Sequence, residues 1–164
     1  MRRWQWGIVT AWMLVVGVAA YAVSGHEQTL RRGELVLLEL APVDPRSLMQ
    51  GDYMALRFAV DAQLPAVTQE ETPVYAYLHV GAEGRAVLAG SGNQLSSEPG
   101  TISVRIRRNE RGLSVGPDAF FFQEGTAERY ARARWGGLRV AADGTALLTA
   151  LYDEQLLLLG SNRH

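Results

Sequence analysis

The chain has 164 residues, of which 48% are hydrophobic and 20% are charged, with a formal net charge of −1. A chain of this length provides a sizeable core, in one domain or two small lobes, and without cysteine it forms no disulfide, thiolate zinc site or cysteine nucleophile. All 16 basic residues are arginine, which excludes lysine-based chemistry, and their mixing with acidic residues argues against nucleic-acid binding.

The N-terminal segment is predicted to be a transmembrane helix. Arg2 and Arg3 precede an apolar run from Trp6 to Val23, in which Thr10 is the only polar side chain. A helix of this length rises about 27 Å, close to the ~30 Å thickness of a hydrocarbon core. Because no charge follows the run until Glu27, the N-terminus is expected in the cytoplasm and the rest of the chain beyond the inner membrane, in the periplasm.

A cleaved signal peptide is the alternative for this segment. Ala20-Tyr21-Ala22 has the small-x-small form of a cleavage site. An uncleaved anchor is the preferred interpretation, because Trp4 and Trp6 at one end and Tyr21 at the other resemble interfacial anchors. Both interpretations place the remainder of the chain outside the cytoplasm.

Residues 1–25 are therefore treated as an anchor or signal segment, and residues 26–164 as a separate domain. This domain is predicted to be mainly β, a barrel or sandwich-like antiparallel fold with one short helix. Thr126 is expected to cap that helix over Ala127–Arg134, and Asp143-Gly144 to turn the last hairpin. The predicted strands are Glu34–Leu40, Tyr53–Val60, Val74–Val80, Arg85–Ala89, Thr101–Arg108, Ala119–Gln123, Leu138–Ala142, Thr145–Tyr152 and Leu156–Leu159.

The structure of two further segments of this domain can also be predicted. Residues 90–100 are rich in glycine and serine, and they are predicted to be a long loop within one domain or a linker between two lobes. Asp44 to Gly51 are predicted to form one helical turn, with a capping residue at the start and glycine at the end. The strand that follows alternates, and its predicted core face consists of Met54, Leu56, Phe58 and Val60.

The segment Gly51-Asp52-Tyr53-Met54-Ala55-Leu56-Arg57-Phe58 resembles the motif that names the GDYXXLXY family of bacterial proteins. Phe58 stands where the family name has tyrosine, which removes a hydroxyl and keeps the aromatic packing role. The resemblance implies a small membrane-anchored protein without an assigned activity, encoded beside or fused to multi-pass membrane proteins. Other segments that fit the family in order are Pro42–Arg46, Phe122–Gly125, Arg129–Tyr130, Ala133–Gly136 and Leu138–Val140.

Asp44 and Asp52 are the best candidates for chemistry, since paired carboxylates perform acid–base work or bind a hard cation. A structural role is favoured, with Asp44 capping the turn and Asp52 binding loop amides. Ser47 lacks a lysine to activate it, and the scattered histidines have no metal-ligand spacing. No catalytic residue, metal or cofactor is predicted. The candidate partner- or ligand-binding residues are Asp44, Pro45, Arg46, Gly51, Asp52, Tyr53, Leu56 and Phe58.

The predicted function is that of a non-enzymatic, single-pass inner-membrane protein whose β domain outside the cytoplasm binds a multi-pass membrane protein. The alternative is a ligand-binding or hydrolase domain that uses Asp44 and Asp52. A third possibility is a secreted β domain, if the chain is cleaved after Ala22. The size of the mature protein distinguishes this last possibility from the first two.

Overall fold

The structure is a computed structural model, and it describes residues 8–18, 30, 33–41, 49–50, 53–66, 72–109 and 111–161. Residues 8–18 form a helix, α1. Among the described residues, no helix combines the length and apolar character that crossing a membrane requires. The predicted span from Trp6 to Val23 extends past α1 at both ends, and those flanking residues lie outside the described residues.

The described residues from 33 to 161 form short strands and one short α-helix, which confirms the predicted mainly β class. Helix α2 covers Ala127–Tyr130, and 3₁₀ helices cover Ala59–Gln63 and Ala82–Gly84. The strands are β1 Glu34–Glu39, β2 Met49–Gln50, β3 Tyr53–Ala55, β4 Tyr75–Val80, β5 Ala86–Gly92, β6 Thr101–Arg105, β7 Arg107–Asn109, β8 Gly112–Ser114, β9 Ala119–Phe121, β10 Trp135–Val140, β11 Ala146–Tyr152 and β12 Leu158–Ser161.

The described strands form four antiparallel sheets. The largest has the order β1-β10-β11-β12, two others have the orders β2-β3-β9 and β5-β4-β6, and β7 pairs with β8. Isolated bridges join the sheets: Leu37 pairs with Arg85, and Leu40 pairs with Phe58. The second bridge attaches the end of β1 to the segment that follows β3, which brings the motif region against the four-stranded sheet.

The period-two pattern after residue 53 is confirmed on its core face. Met54, Leu56, Phe58 and Val60 are all buried. The strand itself is shorter than predicted, because the chain leaves β3 after Ala55 and turns into the 3₁₀ helix at Ala59. Of the helical turn predicted from Asp44 to Gly51, Met49–Gln50 instead pair with β3, and the other residues lie outside the described ones.

The helix after Thr126 differs from its prediction at both ends. The Thr126 hydroxyl does not cap α2; it donates backwards to the Gln123 carbonyl oxygen at 2.6 Å and closes the preceding turn. The predicted end at Arg134 is also wrong. The helix ends at Tyr130 because the Arg134 N–H donates to the Tyr152 carbonyl oxygen at 2.8 Å, which directs the chain into the four-stranded sheet.

One cluster of buried apolar side chains runs from Val36 in β1 to Leu159 in β12. Strands on both sides of residues 93–100 contribute to it, with Leu78 before that segment and Val104 after it. Residues 90–92 belong to β5. The segment from 93 to 100 is therefore a loop between strands of one core, which agrees with the first of the two predicted roles.

Candidate functional site

The predicted site residues fall into two groups. Tyr53, Leu56 and Phe58 are described by the structure, and they lie on or directly after β3. The other five, which include the two predicted aspartates, lie outside the described residues. These five are Asp44, Pro45, Arg46, Gly51 and Asp52.

Tyr53 forms part of an aromatic pair on the small three-stranded sheet. Its register partner on β9 is Phe121, and the two ring centroids are 5.9 Å apart. Phe121 keeps 67% of its surface exposed, whereas its neighbour Phe120 is buried and packs on Tyr130 with a centroid distance of 5.2 Å. Period-two alternation along β9 thus puts one phenylalanine in the core and the other in solvent.

Phe58 lies in the core, with 1% of its surface exposed. A Cβ atom added to Gly116 would overlap its ring, and one added to Gly136 would lie 2.9 Å from the ring carbon Cε1. The ring therefore occupies space that only glycine leaves open at these two positions. This burial agrees with the packing role expected for the aromatic residue that ends the motif.

A cleft of about 610 Å³ opens beside the motif, between the segment after β3 and the β7–β8 hairpin. Its floor is formed by the buried side chains of Leu56, Phe58 and Leu113. Arg57 and Arg111, both exposed, line it as well. The last residues of the motif thus line a concave surface.

Asp61 is the most strongly bound acid in this cleft. Its carboxylate accepts hydrogen bonds from the Val115 N–H at 3.0 Å, the Ser114 hydroxyl at 3.0 Å and the Phe58 N–H at 3.2 Å. Burial raises the pKa of Asp61 above its ordinary range, and the three donors oppose this rise only in part. Asp61 therefore joins the 3₁₀ helix to the end of β8 and is not available as a free base.

A second acid in the cleft also has an internal partner. Asp118 accepts a hydrogen bond from the Asn109 side-chain amide at 2.6 Å, and the Asn109 side-chain oxygen accepts the Arg111 N–H at 2.9 Å. Within the described part of the chain, the guanidinium groups of Arg57 and Arg111 form no ion pair. The acids of the cleft are thus engaged, while its two arginines have no ion-pair partner among the described residues and could bind an anion from solution.

Sequence reasoning did not identify Asp61 as part of the site. A local signal exists, because the third residue of a helical turn often bonds back to the backbone N–H at the cap, as Asp61 does to Phe58. No local signal identifies Ser114 as the long-range partner. Over the ranges that the structure describes, no three histidine or acidic side chains are grouped closely enough to hold a metal ion.

Comparison with known proteins places most of the β region in one family. The GDYXXLXY protein family matches residues 15–151. The chain is also 33% identical over 138 residues to Cilia- and flagella-associated protein 44 of Chlamydomonas reinhardtii, a match that covers 77% of this chain and 7% of that protein. No solved structure matches the chain. By the family match, which extends from the last residues of α1 into β11 at Leu151, the chain belongs to the GDYXXLXY protein family.

Proposed function

We propose that this protein is a single-pass inner-membrane protein whose β domain, residues 26–164, lies outside the cytoplasm and acts as a non-enzymatic accessory subunit of a multi-pass membrane protein. In this proposal residues 1–25 form an uncleaved anchor, and the β domain is a barrel or sandwich-like unit. The membrane and a protein partner are its two binding partners, and nucleic acid is not one of them.

The surface of α1 carries this proposal. All of its large apolar side chains are between 49% and 70% exposed, so no other described part of the chain covers them. A helix that is apolar on every side is stable when lipid or protein surrounds it. Arg2 and Arg3 precede it, which favours a cytoplasmic N-terminus. The exposed side chains are Ile8, Val9, Trp12, Met13, Leu14, Val15, Val16 and Val18.

The pair of half-buried Tyr53 and exposed Phe121 supports a role in protein binding. Aromatic side chains are enriched at protein interfaces because one rigid ring buries a large area. Phe121 is presented to solvent by β9, directly opposite the first residue of β3. A partner surface that covers Phe121 would therefore contact the motif strand as well. The multi-pass character of the partner is what the family resemblance implies.

The anchor is tested by fractionation of the full chain carrying a C-terminal tag. We expect a full-length protein in the membrane fraction that resists extraction with carbonate, and a tag that protease reaches only from the periplasmic side. Val15→Arg puts a charge near the middle of the apolar run, at a cost of about 3 kcal/mol, and should release protein from the membrane. Val15→Leu is the matched control. A processed, soluble wild-type protein would refute the anchor and favour the secreted alternative.

The partner is tested by affinity purification from solubilised membranes. We expect one multi-pass protein to co-purify reproducibly with the wild type and to be lost with Phe121→Ser. Val87→Ser is the matched control, because Val87 is 63% exposed on β5, in a different sheet. Recovery of no integral membrane protein would refute the accessory role. In the hydrolase or ligand-binding alternative, Asp52→Asn abolishes activity without changing the melting temperature.

A further inference from the structure

We infer that the cleft beside Leu56 and Phe58 is a binding site for an amphipathic organic anion, a carboxylate joined to an apolar group, with Arg57 and Arg111 binding the carboxylate. This inference goes beyond the proposed function and does not depend on the membrane anchor. It rests on the arrangement of charge, hydrogen bonds and apolar surface within the cleft.

The charged residues of the cleft favour an anionic ligand. Both carboxylates already accept hydrogen bonds from the chain: Asp61 has three donors, and Asp118 has the Asn109 amide. Arg57 and Arg111 line the same cleft, and neither has an ion-pair partner among the residues that the structure describes. Guanidinium groups bind carboxylates through paired N–H donors. A ligand with one carboxylate therefore provides the ion-pair partner that the two arginines lack among the described residues.

The apolar floor of the cleft favours a ligand that also carries an apolar group. Leu56, Leu64 and Leu113 line it together with the Phe58 ring. A volume of about 610 Å³ falls within the range of small-molecule sites, which combine mostly apolar walls with a few polar groups that orient the ligand. Inorganic phosphate would meet the two arginines and leave the floor empty. An aryl or alkyl carboxylate would use both.

The position of the cleft gives it a rigid frame. Its 3₁₀ helix is joined to β8 through Asp61, and Leu56 N–H donates to the Asp118 carbonyl oxygen at 2.8 Å. The β7–β8 hairpin carries Arg111 at its turn. A ligand held between these two elements therefore meets surfaces that are already in place, which lowers the entropic cost of binding.

The test compares two probes with the same apolar group, 4-phenylbutyrate and the neutral 4-phenylbutanol. The full chain in phosphatidylcholine nanodiscs is titrated by calorimetry, with empty nanodiscs as the blank. We expect the carboxylate to bind about tenfold or more tightly than the alcohol, because hydrogen bonds to charged groups are lost with the alcohol. Binding of the carboxylate should also weaken between about 0.01 M and 1 M salt, as screening increases. Inorganic phosphate should bind more weakly than the carboxylate.

Variants locate the site. Arg57→Gln and Arg111→Gln are each expected to weaken binding of 4-phenylbutyrate about tenfold. Arg108→Gln is the matched control, since Arg108 lies on the same hairpin and does not line the cleft. Ala62→Phe puts a bulky ring at an exposed position on the cleft wall and should block the probe without disturbing the core. Circular dichroism and thermal melting verify that each variant is folded.

The inference is overturned if 4-phenylbutanol binds as tightly as 4-phenylbutyrate, if phosphate binds as tightly, or if no probe saturates at millimolar concentration. It is also overturned if the folded double variant Arg57→Gln/Arg111→Gln keeps wild-type affinity. None of these results affects fractionation or the capture of a membrane partner. Failure of this inference and failure of the proposed function are therefore separate outcomes.

Discussion

The hydroxyl of Ser114 donates a hydrogen bond of 3.0 Å to the carboxylate of Asp61, although 53 residues separate them along the chain. The same carboxylate accepts the N–H of Val115 at 3.0 Å. Asp61 lies three residues after the end of the motif, and Ser114 ends β8. The contact therefore fixes the end of the motif to the hairpin that forms the opposite wall of the cleft.

Removal of the Asp61 carboxylate should destabilise the protein. In Asp61→Ala the Val115 N–H and the buried Ser114 hydroxyl lose their acceptor, and we expect a loss of about 2 kcal/mol in the free energy of unfolding. Asp61→Asn keeps one acceptor oxygen and should lose less. The control is Asp118→Asn, in which an exposed side chain still accepts from Asn109. Urea denaturation measures all three, and an Asp61→Ala variant as stable as the control would contradict the role of Asp61.

The same aspartate should give stability a characteristic dependence on pH. Burial raises its pKa in the folded protein, so the folded state holds the proton more tightly than the unfolded state does. The resulting stabilisation is complete below about pH 4, the pKa region of an unfolded aspartate. It is lost as the pH rises through the raised pKa. The stability of the wild type relative to Asp61→Asn should therefore fall from pH 4 upward and then level off. A relative stability that rises over this range would contradict the prediction.

The stability contributed by Asp143 should depend on pH in the opposite direction. The Thr145 N–H, which donates to its carboxylate at 2.9 Å, is the main cause that lowers the pKa of Asp143. Stabilisation from this contact is present above about pH 4 and is lost as the pH falls through the lowered pKa. The stability difference between the wild type and Asp143→Ala should therefore shrink on acidification. Asp143→Ser, which can still accept from Thr145 but does not ionise in this range, is the control.

The pattern of apolar residues predicted which side chains enter the core, because strands have a fixed period of two. Met54 is buried on β3 for this reason, and the same alternation continues past the strand to the buried Phe58. Turn chemistry predicted the last hairpin equally well: Gly144 has φ of +84° and Asp143 accepts two bonds from Thr145. In both cases the information lies within a few neighbouring residues.

Contacts across the chain were beyond sequence reasoning. Periodicity identifies faces and not neighbours, so it could not predict that Glu34 of β1 pairs with Val140 of β10. A hydroxyl group also has several possible partners nearby. Thr126 was expected to cap α2, but its hydroxyl donates to the Gln123 carbonyl oxygen instead. The cleft depends both on pairing between distant segments and on the partner that a hydroxyl such as that of Ser114 selects. For this reason Arg57 and Arg111 could not be assigned to one site from their positions in the sequence.

Gly116 should be intolerant of any side chain. A Cβ there would overlap the buried ring of Phe58, and we expect Gly116→Ala to cost about 1–3 kcal/mol through forced displacement of the ring. Gly81→Ala is the control, because its nearest atom would be the Arg85 carbonyl oxygen at 3.5 Å and its φ is −92°. Phe58→Leu combined with Gly116→Ala should cost less than the sum of the two single variants. Additive costs would show that the ring and the glycine do not compete for space.

The loop between β11 and β12 should depend on the buried carboxylate of Asp153. One oxygen of this side chain accepts the N–H groups of Gln155 at 3.0 Å and Leu157 at 2.9 Å. These bonds span Leu156, whose φ of +61° is unfavourable for a residue with a side chain. We expect Asp153→Ala to cost about 1–3 kcal/mol.

Asp153→Asn is the matched variant, because its amide oxygen accepts both N–H groups and it should remain within about 0.5 kcal/mol of the wild type. Hydrogen exchange at Gln155 and Leu157 locates the effect: both amides should lose protection in the alanine variant and keep it in the asparagine variant. Equal protection in the two variants would mean that the backbone alone holds the loop. In that case the bond from the Asp153 N–H to the Leu157 carbonyl oxygen, at 3.0 Å, would be sufficient to maintain Leu156 at positive φ.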